Sequence, residues 1–158
     1  MKGMNFLIYK IGYTTGVFDL FHIGHLNLLR RAKEQCEHLI VGVSSDDLVS
    51  YKHKKSVIPF VERIEIVRAI KYVDQAVLQD NMDKMEAWRK YHFDVMFVGD
   101  DWKGTDKWNS IENDFKKINV DIVYFPYTKG TSSTLLNQTL LKLRDSKMLG
   151  ASDNVNNR

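Results

Sequence analysis

Three short segments near the start of the chain restrict its fold more than any other feature. Phe6 to Tyr13 is apolar enough for a strand, Leu26 to Glu37 repeats Leu26, Leu28, Leu29 and Ala32 as the buried face of a helix, and His38 to Ser44 is the apolar run His-Leu-Ile-Val-Gly-Val-Ser. A strand, a helix and a second strand in direct succession make a β-α-β unit, whose crossover is almost always right-handed. A strand with no polar face belongs in a parallel sheet covered on both sides. Sheets of this kind bind ligands beyond the carboxyl ends of their strands.

The alternation continues to the end of the chain. Pro59 opens a helical pattern over Phe60 to Tyr72, with Val61, Ile64, Val67, Ala69 and Ile70 on one face. A strand follows at Val73 to Leu78, a helix at Met82 to Tyr91 and a strand at Asp94 to Val98. The last elements are a helix at Ile111 to Ile118, a strand at Val120 to Phe125 and a helix at Leu135 to Leu143. The expected fold is α/β, a Rossmann-like doubly wound parallel sheet of about five strands with helices on both faces. With 158 residues, 44% of them hydrophobic, the chain has a real core but no room for two. One domain is expected over 1–145, with 146–158, rich in Ser, Gly, Asp and Asn, as a flexible tail and the opening Met-Lys-Gly-Met partly disordered.

Polar clusters follow the strand ends. His22 and His25, one helical turn apart around Gly24, fall at a helix start, where free N–H groups and the helix dipole favour phosphate. Two imidazoles there can donate hydrogen bonds to phosphoryl oxygens whose charge grows in a transition state. Zinc is disfavoured for want of further ligands at suitable spacing. Lys52 and Lys54, on the same sheet edge, are candidates for an α-phosphate or a second substrate, while Lys55 faces solvent. Asp100 and Asp101 admit two readings, a turn or cap after a strand, or a carboxylate for a base's exocyclic amine or a divalent ion. Trp102 either covers a ligand's ring or packs in its loop. Thr128, Lys129, Gly130, Thr131, Ser132, Ser133 and Thr134 lead into a helix and are read as a second phosphate cradle in preference to an N-cap with spare hydroxyls. The formal charge of +3 suits an anionic ligand but is too small and scattered for nucleic acid. The single Cys36 excludes an internal disulfide, and with no signal-like or membrane-spanning run a cytoplasmic protein without membrane insertion is expected.

The stretch Gly16-Val17-Phe18-Asp19-Leu20-Phe21-His22-Ile23-Gly24-His25, Asp100-Asp101-Trp102 after a strand and Gly130-Thr131-Ser132-Ser133-Thr134 before a helix resemble the cytidylyltransferase branch of the HxGH nucleotidyltransferases. The match runs in order over roughly residues 8 to 143 and takes in Arg63 and Lys71-Tyr72-Val73-Asp74. The resemblance implies an enzyme that joins CTP to a small phosphorylated alcohol, glycerol phosphate first among them, with release of pyrophosphate. It implies magnesium on the triphosphate and a homodimer. His22 and His25 would steady the α-phosphoryl group, and Lys52 and Lys54 would neutralise the reacting phosphates. Gly16, Val17, Phe18, Asp19, Gly24, Arg63, Lys71, Asp100, Asp101, Trp102 and Tyr127 to Thr134 would contact the nucleotide, and Lys84 the acceptor. Val17, Lys71 and Tyr127 depart from the family's Thr, Arg and Arg. Rival readings are a heptose-type adenylyltransferase using ATP, a choline- or ethanolamine-phosphate cytidylyltransferase, and a non-catalytic nucleotide-binding module.

Overall fold

The computed structural model describes residues 8–51, 54–130 and 132–152, the last four by backbone alone. Among the described residues five parallel strands form one sheet: β1 (Tyr9–Gly16), β2 (Cys36–Ser44), β3 (Gln75–Gln79), β4 (Val95–Gly99) and β5 (Asp121–Phe125), in the order β3-β2-β1-β4-β5. They alternate with α1 (Ile23–Glu34), a short α2 (Asp46–Tyr51), α3 (Phe60–Ala69), α4 (Lys84–Tyr91), α5 (Asp106–Lys117) and α6 (Ser133–Ser152). The Rossmann-like doubly wound fold read from the sequence is therefore present. Chain order reverses between β1 and β4, the switch point at which such sheets open a crevice.

Period-two alternation in the central strands builds two cores. Leu39, Val41 and Val43 of β2 join Val95 and Phe97 of β4 on the face covered by Leu29 and Ala32 of α1 and Val67 of α3. Ile40, Met96 and Val98 point the other way, to Trp108 and Phe115 of α5 and the partly buried Met85 and Trp88 of α4. Gly12 of β1 has a packing reason, since a Cβ there would lie 2.6 Å from the Phe97 ring and 2.8 Å from Cys36 Sγ.

Element ends differ from the periodicity where caps decide. Helix α1 starts three residues before Leu26 because the His22 side chain caps it, and α5 starts at Asp106 because Thr105 Oγ1 accepts from the Trp108 N–H at 3.4 Å. Strand β1 continues past Tyr13 to Gly16, pairing Gly16 with Val43, while Phe6 and Leu7 lie outside the described residues. Helix α2 was not expected from periodicity; Ser45 Oγ accepts from the Leu48 N–H at 3.0 Å and starts it. Helix α6 runs on to Ser152, through the first part of the stretch read as tail, and residues 153–158 lie outside the description. No described helix is long and apolar enough to cross a membrane.

Candidate active site

The turn after β1 is held in a high-energy backbone shape. Phe18 and Leu20 both take left-handed φ, +54° and +48°, on either side of the buried Asp19. Asp19 explains how that shape persists. Its carboxylate accepts from the backbone N–H groups of Leu20 (3.1 Å), Val57 (2.8 Å) and Ile58 (2.9 Å), and its carbonyl accepts from Ser133 Oγ at 2.5 Å. One residue thereby ties the β1–α1 turn to the segment before α3 and to the start of α6.

Both histidines are fixed in one tautomer by the backbone. His22 Nδ1 accepts from the Gly24 N–H at 3.0 Å, and His25 Nδ1 accepts from the His22 N–H at 3.3 Å, a reciprocal cap. With Nδ1 an acceptor in each ring, the proton of a neutral imidazole sits on Nε2. The ring centroids are 3.9 Å apart. Burial lowers the His22 pKa, and His25 is pushed down to about 4, first by burial and then by His22, against an opposing pull from Asp19. At neutral pH the two rings are uncharged N–H donors. Ser133 Oγ lies 3.5 Å from His25 Nε2, which brings the start of α6 up to the histidine pair.

A cleft of about 310 Å³ opens beside these groups. His22, Gly24, His25, Leu28 and Arg31 of α1 and its cap form one wall; Phe125, Pro126, Tyr127, Thr128, Ser132, Ser133 and Thr134 form the other, with Gly99 and Asp101 at the end of β4. Asn27 Nδ2 donates to Thr128 Oγ1 at 3.5 Å and Arg31 Nη1 to the Pro126 carbonyl at 3.4 Å, so the walls are linked. Tyr127, at the position of a family arginine, is 60% exposed in this wall. Leu28 and Arg31 were missed in the sequence, although they follow Gly24 at i+4 and i+7 and so share its helix face.

Several expected site residues stand elsewhere. Arg63 is fully buried: Nε donates to the Ile58 carbonyl (2.8 Å), Nη1 to those of Val17 (2.6 Å) and Ser44 (2.8 Å), and Nη2 to Asp46 Oδ1 (2.7 Å). That makes it a brace between strand ends instead of a nucleotide contact. Lys71 lies in the turn from α3 to β3, at the amino end of the parallel strands and so opposite the cleft. Lys84 is buried in the first turn of α4 and lines a separate small cavity with Tyr13, Gln79 and Tyr91. Gly16, Val17, Phe18 and Asp19 do not line the cleft; Phe18 is buried with its ring against Gly16, where a Cβ would come within 3.0 Å of it, and these residues shape the turn that carries the histidines. Asp100, Trp102, Lys129 and Gly130 are exposed beside the cleft without lining it. Lys54 is exposed on the segment that Asp19 tethers through Val57 and Ile58, also outside the cleft lining. Lys52 and Thr131 lie outside the described residues.

A crevice at the switch point, two Nε2–H imidazoles at a helix start and a hydroxyl-bearing helix start against them make a candidate site for a nucleotide's phosphates. The chain belongs to the cytidylyltransferase-like family, whose model matches residues 13–145, and it is an enzyme of that class. It is 37% identical over 128 residues to the glycerol-3-phosphate cytidylyltransferase of Staphylococcus aureus, covering 80% of this chain and 92% of that protein. It is 37% identical over 109 residues to an FAD synthase of Archaeoglobus fulgidus, covering 69% of this chain and 79% of that one. Among solved structures, a lipopolysaccharide core biosynthesis protein from Thermoplasma volcanium shares the fold, with TM-score 0.65, 24% identity and coverage of 78% of this chain and 99% of that one.

Proposed function

We propose that the enzyme transfers CMP from CTP to a phosphorylated polyol, glycerol phosphate first, with release of pyrophosphate. A phosphate oxygen of the acceptor attacks the α-phosphorus of CTP in line; the new P–O bond forms as the bond to the β-phosphate oxygen breaks, and the electron pair leaves with pyrophosphate. The observation that carries the reading is the reciprocal backbone cap, which commits both Nδ1 atoms and leaves the Nε2–H groups of His22 and His25 to donate to the α-phosphoryl oxygens. The start of α6 receives the departing β- and γ-phosphates through its first N–H groups and the Ser132 and Thr134 hydroxyls, while the Ser133 hydroxyl, donating to the Asp19 carbonyl, holds that start beside His25. Lys54, on the segment tethered to Asp19, and Lys52 are proposed to meet the attacking phosphate. Asp100 and Trp102 beside the cleft leave the amine-binding role to Asp101.

Magnesium belongs to the same proposal as a companion of the triphosphate. Among the described residues no three His, Cys, Asp or Glu side chains converge as a metal cage, and Asp101 is the one carboxylate lining the cleft. These residues fit an ion that keeps phosphate and water oxygens as its ligands, where it offsets charge on the leaving group. A homodimer and a cytoplasmic setting also remain part of the proposal; the exposed Leu140, Leu141 and Leu143 of α6 supply apolar surface for self-association.

The test is pyrophosphate release with magnesium across four nucleoside triphosphates and a panel of acceptors, with the oligomer mass read by light scattering. CTP with glycerol phosphate is expected to be fastest and CTP alone silent. ATP with flavin mononucleotide is included because relatives of similar identity are named FAD synthases. CTP binding without turnover on any acceptor would instead favour a non-catalytic module. His22→Ala is expected to lower kcat/KM by roughly 100- to 1000-fold. Its fold should survive, since losing one helix cap costs about 1 kcal/mol.

A further inference from the structure

We propose that Arg31 contacts the base of the bound nucleotide and makes the cleft select cytosine over uracil, an inference that rests on the nucleotide reading above. Arg31 shares the cleft-facing side of α1 with Gly24 and Leu28. At 1.5 Å per residue it stands about 9 Å along the helix from His25. The phosphate-binding groups gather at the other end, where Ser133 Oγ is 3.5 Å from His25 Nε2. A nucleotide whose α-phosphate lies at the histidines carries its ribose and base away from that end, toward Arg31.

The chemistry of the lining fits a base at this depth. Among the described residues of the cleft, Arg31 is the one Lys or Arg and Asp101 the one Asp or Glu. The bond from Nη1 to the Pro126 carbonyl at 3.4 Å steadies the guanidinium against the opposite wall. Its remaining N–H groups lie in a planar fork that suits two neighbouring acceptors. Cytosine presents O2 and N3 as such a pair, next to an N4 amine that donates to a carboxylate. Uracil reverses both signs: its N3–H meets the guanidinium and its O4 meets Asp101. The mismatch sets donor against donor and acceptor against acceptor, which is how a site rejects a near isostere. A β- or γ-phosphate contact is the competing role for this cation, and it makes a different prediction.

The experiment compares CTP, UTP and inorganic tripolyphosphate with the full chain and its Arg31→Gln and Arg31→Lys variants. CTP and UTP are read as kcat/KM with glycerol phosphate and as Kd by calorimetry, tripolyphosphate as an inhibition constant, and the fold by thermal melting. The wild type is expected to prefer CTP. Arg31→Gln should weaken CTP by roughly 10- to 100-fold and draw the CTP to UTP ratio toward one. Tripolyphosphate inhibition should stay within about twofold. Arg31→Lys should recover little, because an ammonium lacks the fork. An unchanged CTP to UTP ratio in a folded variant overturns the proposal, as does an equal loss for tripolyphosphate, which would mark a phosphate contact. Should Arg31→Gln melt early, Arg31→Lys decides by the same ratio. Failure of the wild type to bind CTP would overturn the nucleotide reading itself, a result separate from any effect of the variants.

Discussion

His22 and His25 line the cleft as neutral Nε2–H donors, kept so by burial and by the backbone bonds at their Nδ1 atoms. The His25 pKa of about 4 lies below the ordinary histidine value of about 6.5. Between those values the unfolded chain binds a proton that the folded protein does not, so stability rises with pH across this window. The contribution is complete above about pH 6.5 and is lost as pH falls toward 4. We expect ring ¹⁵N spectra to show a neutral His25 with its proton on Nε2 from pH 8 to below 6. A His25 ring that titrates near the ordinary histidine value would contradict the burial argument. Phe18 and Leu20 belong to the same scale: two left-handed side-chain-bearing residues flanking Asp19 are strain that its three N–H bonds and the Ser133 contact hold in place.

Between elements, Arg63 is the main fastener. It connects the ends of β1 and β2, through the Val17 and Ser44 carbonyls, to α2 through Asp46 and to its own helix entry through Ile58. Asp46 also accepts from the Phe60 N–H, and that bond, ahead of Arg63, lowers its pKa. Arg63→Met leaves three carbonyls without their donor at roughly 1 kcal/mol each, so a loss of about 3 kcal/mol is expected in urea unfolding. A change below roughly 0.5 kcal/mol would show that water replaces the brace. The sequence could not announce this role, because an arginine beside a conspicuous motif reads the same whether it points at a ligand or at carbonyls. Helix α2 was hidden for a related reason: six residues started by one serine contact have too little length for a period to register.

At the scale of the molecule, the strand order places the β1 turn, the end of β4 and the start of α6 around one crevice. A ligand that bridges these segments should stabilise the whole fold. CTP at about 100 times its Kd is expected to add roughly 2.7 kcal/mol, seen as a rise in Tm on the order of 5–10 °C. No shift with CTP and magnesium would argue against a nucleotide crevice. The parallel α/β architecture was legible because β2 carries an unbroken apolar run, and the histidine and hydroxyl clusters because they follow strand ends. Arg31 was legible in principle from its i+7 spacing to Gly24, but only a known cleft direction makes that helix face special.

Local and periodic information therefore sits in the chain itself: the alternation of strands and helices, the polar clusters at two helix starts and the family. What tertiary structure decided is which polar side chains face the cleft. Arg63, Asp19 and Lys71 are the same residue types in either setting. Burial, the amino or carboxyl end of a parallel strand, and hydrogen bonds to partners as far apart as Asp19 and Ser133 sort the braces from the binders, and those are properties of the assembled sheet. Physically, a side chain's direction depends on contacts distant in sequence, and no local pattern encodes them.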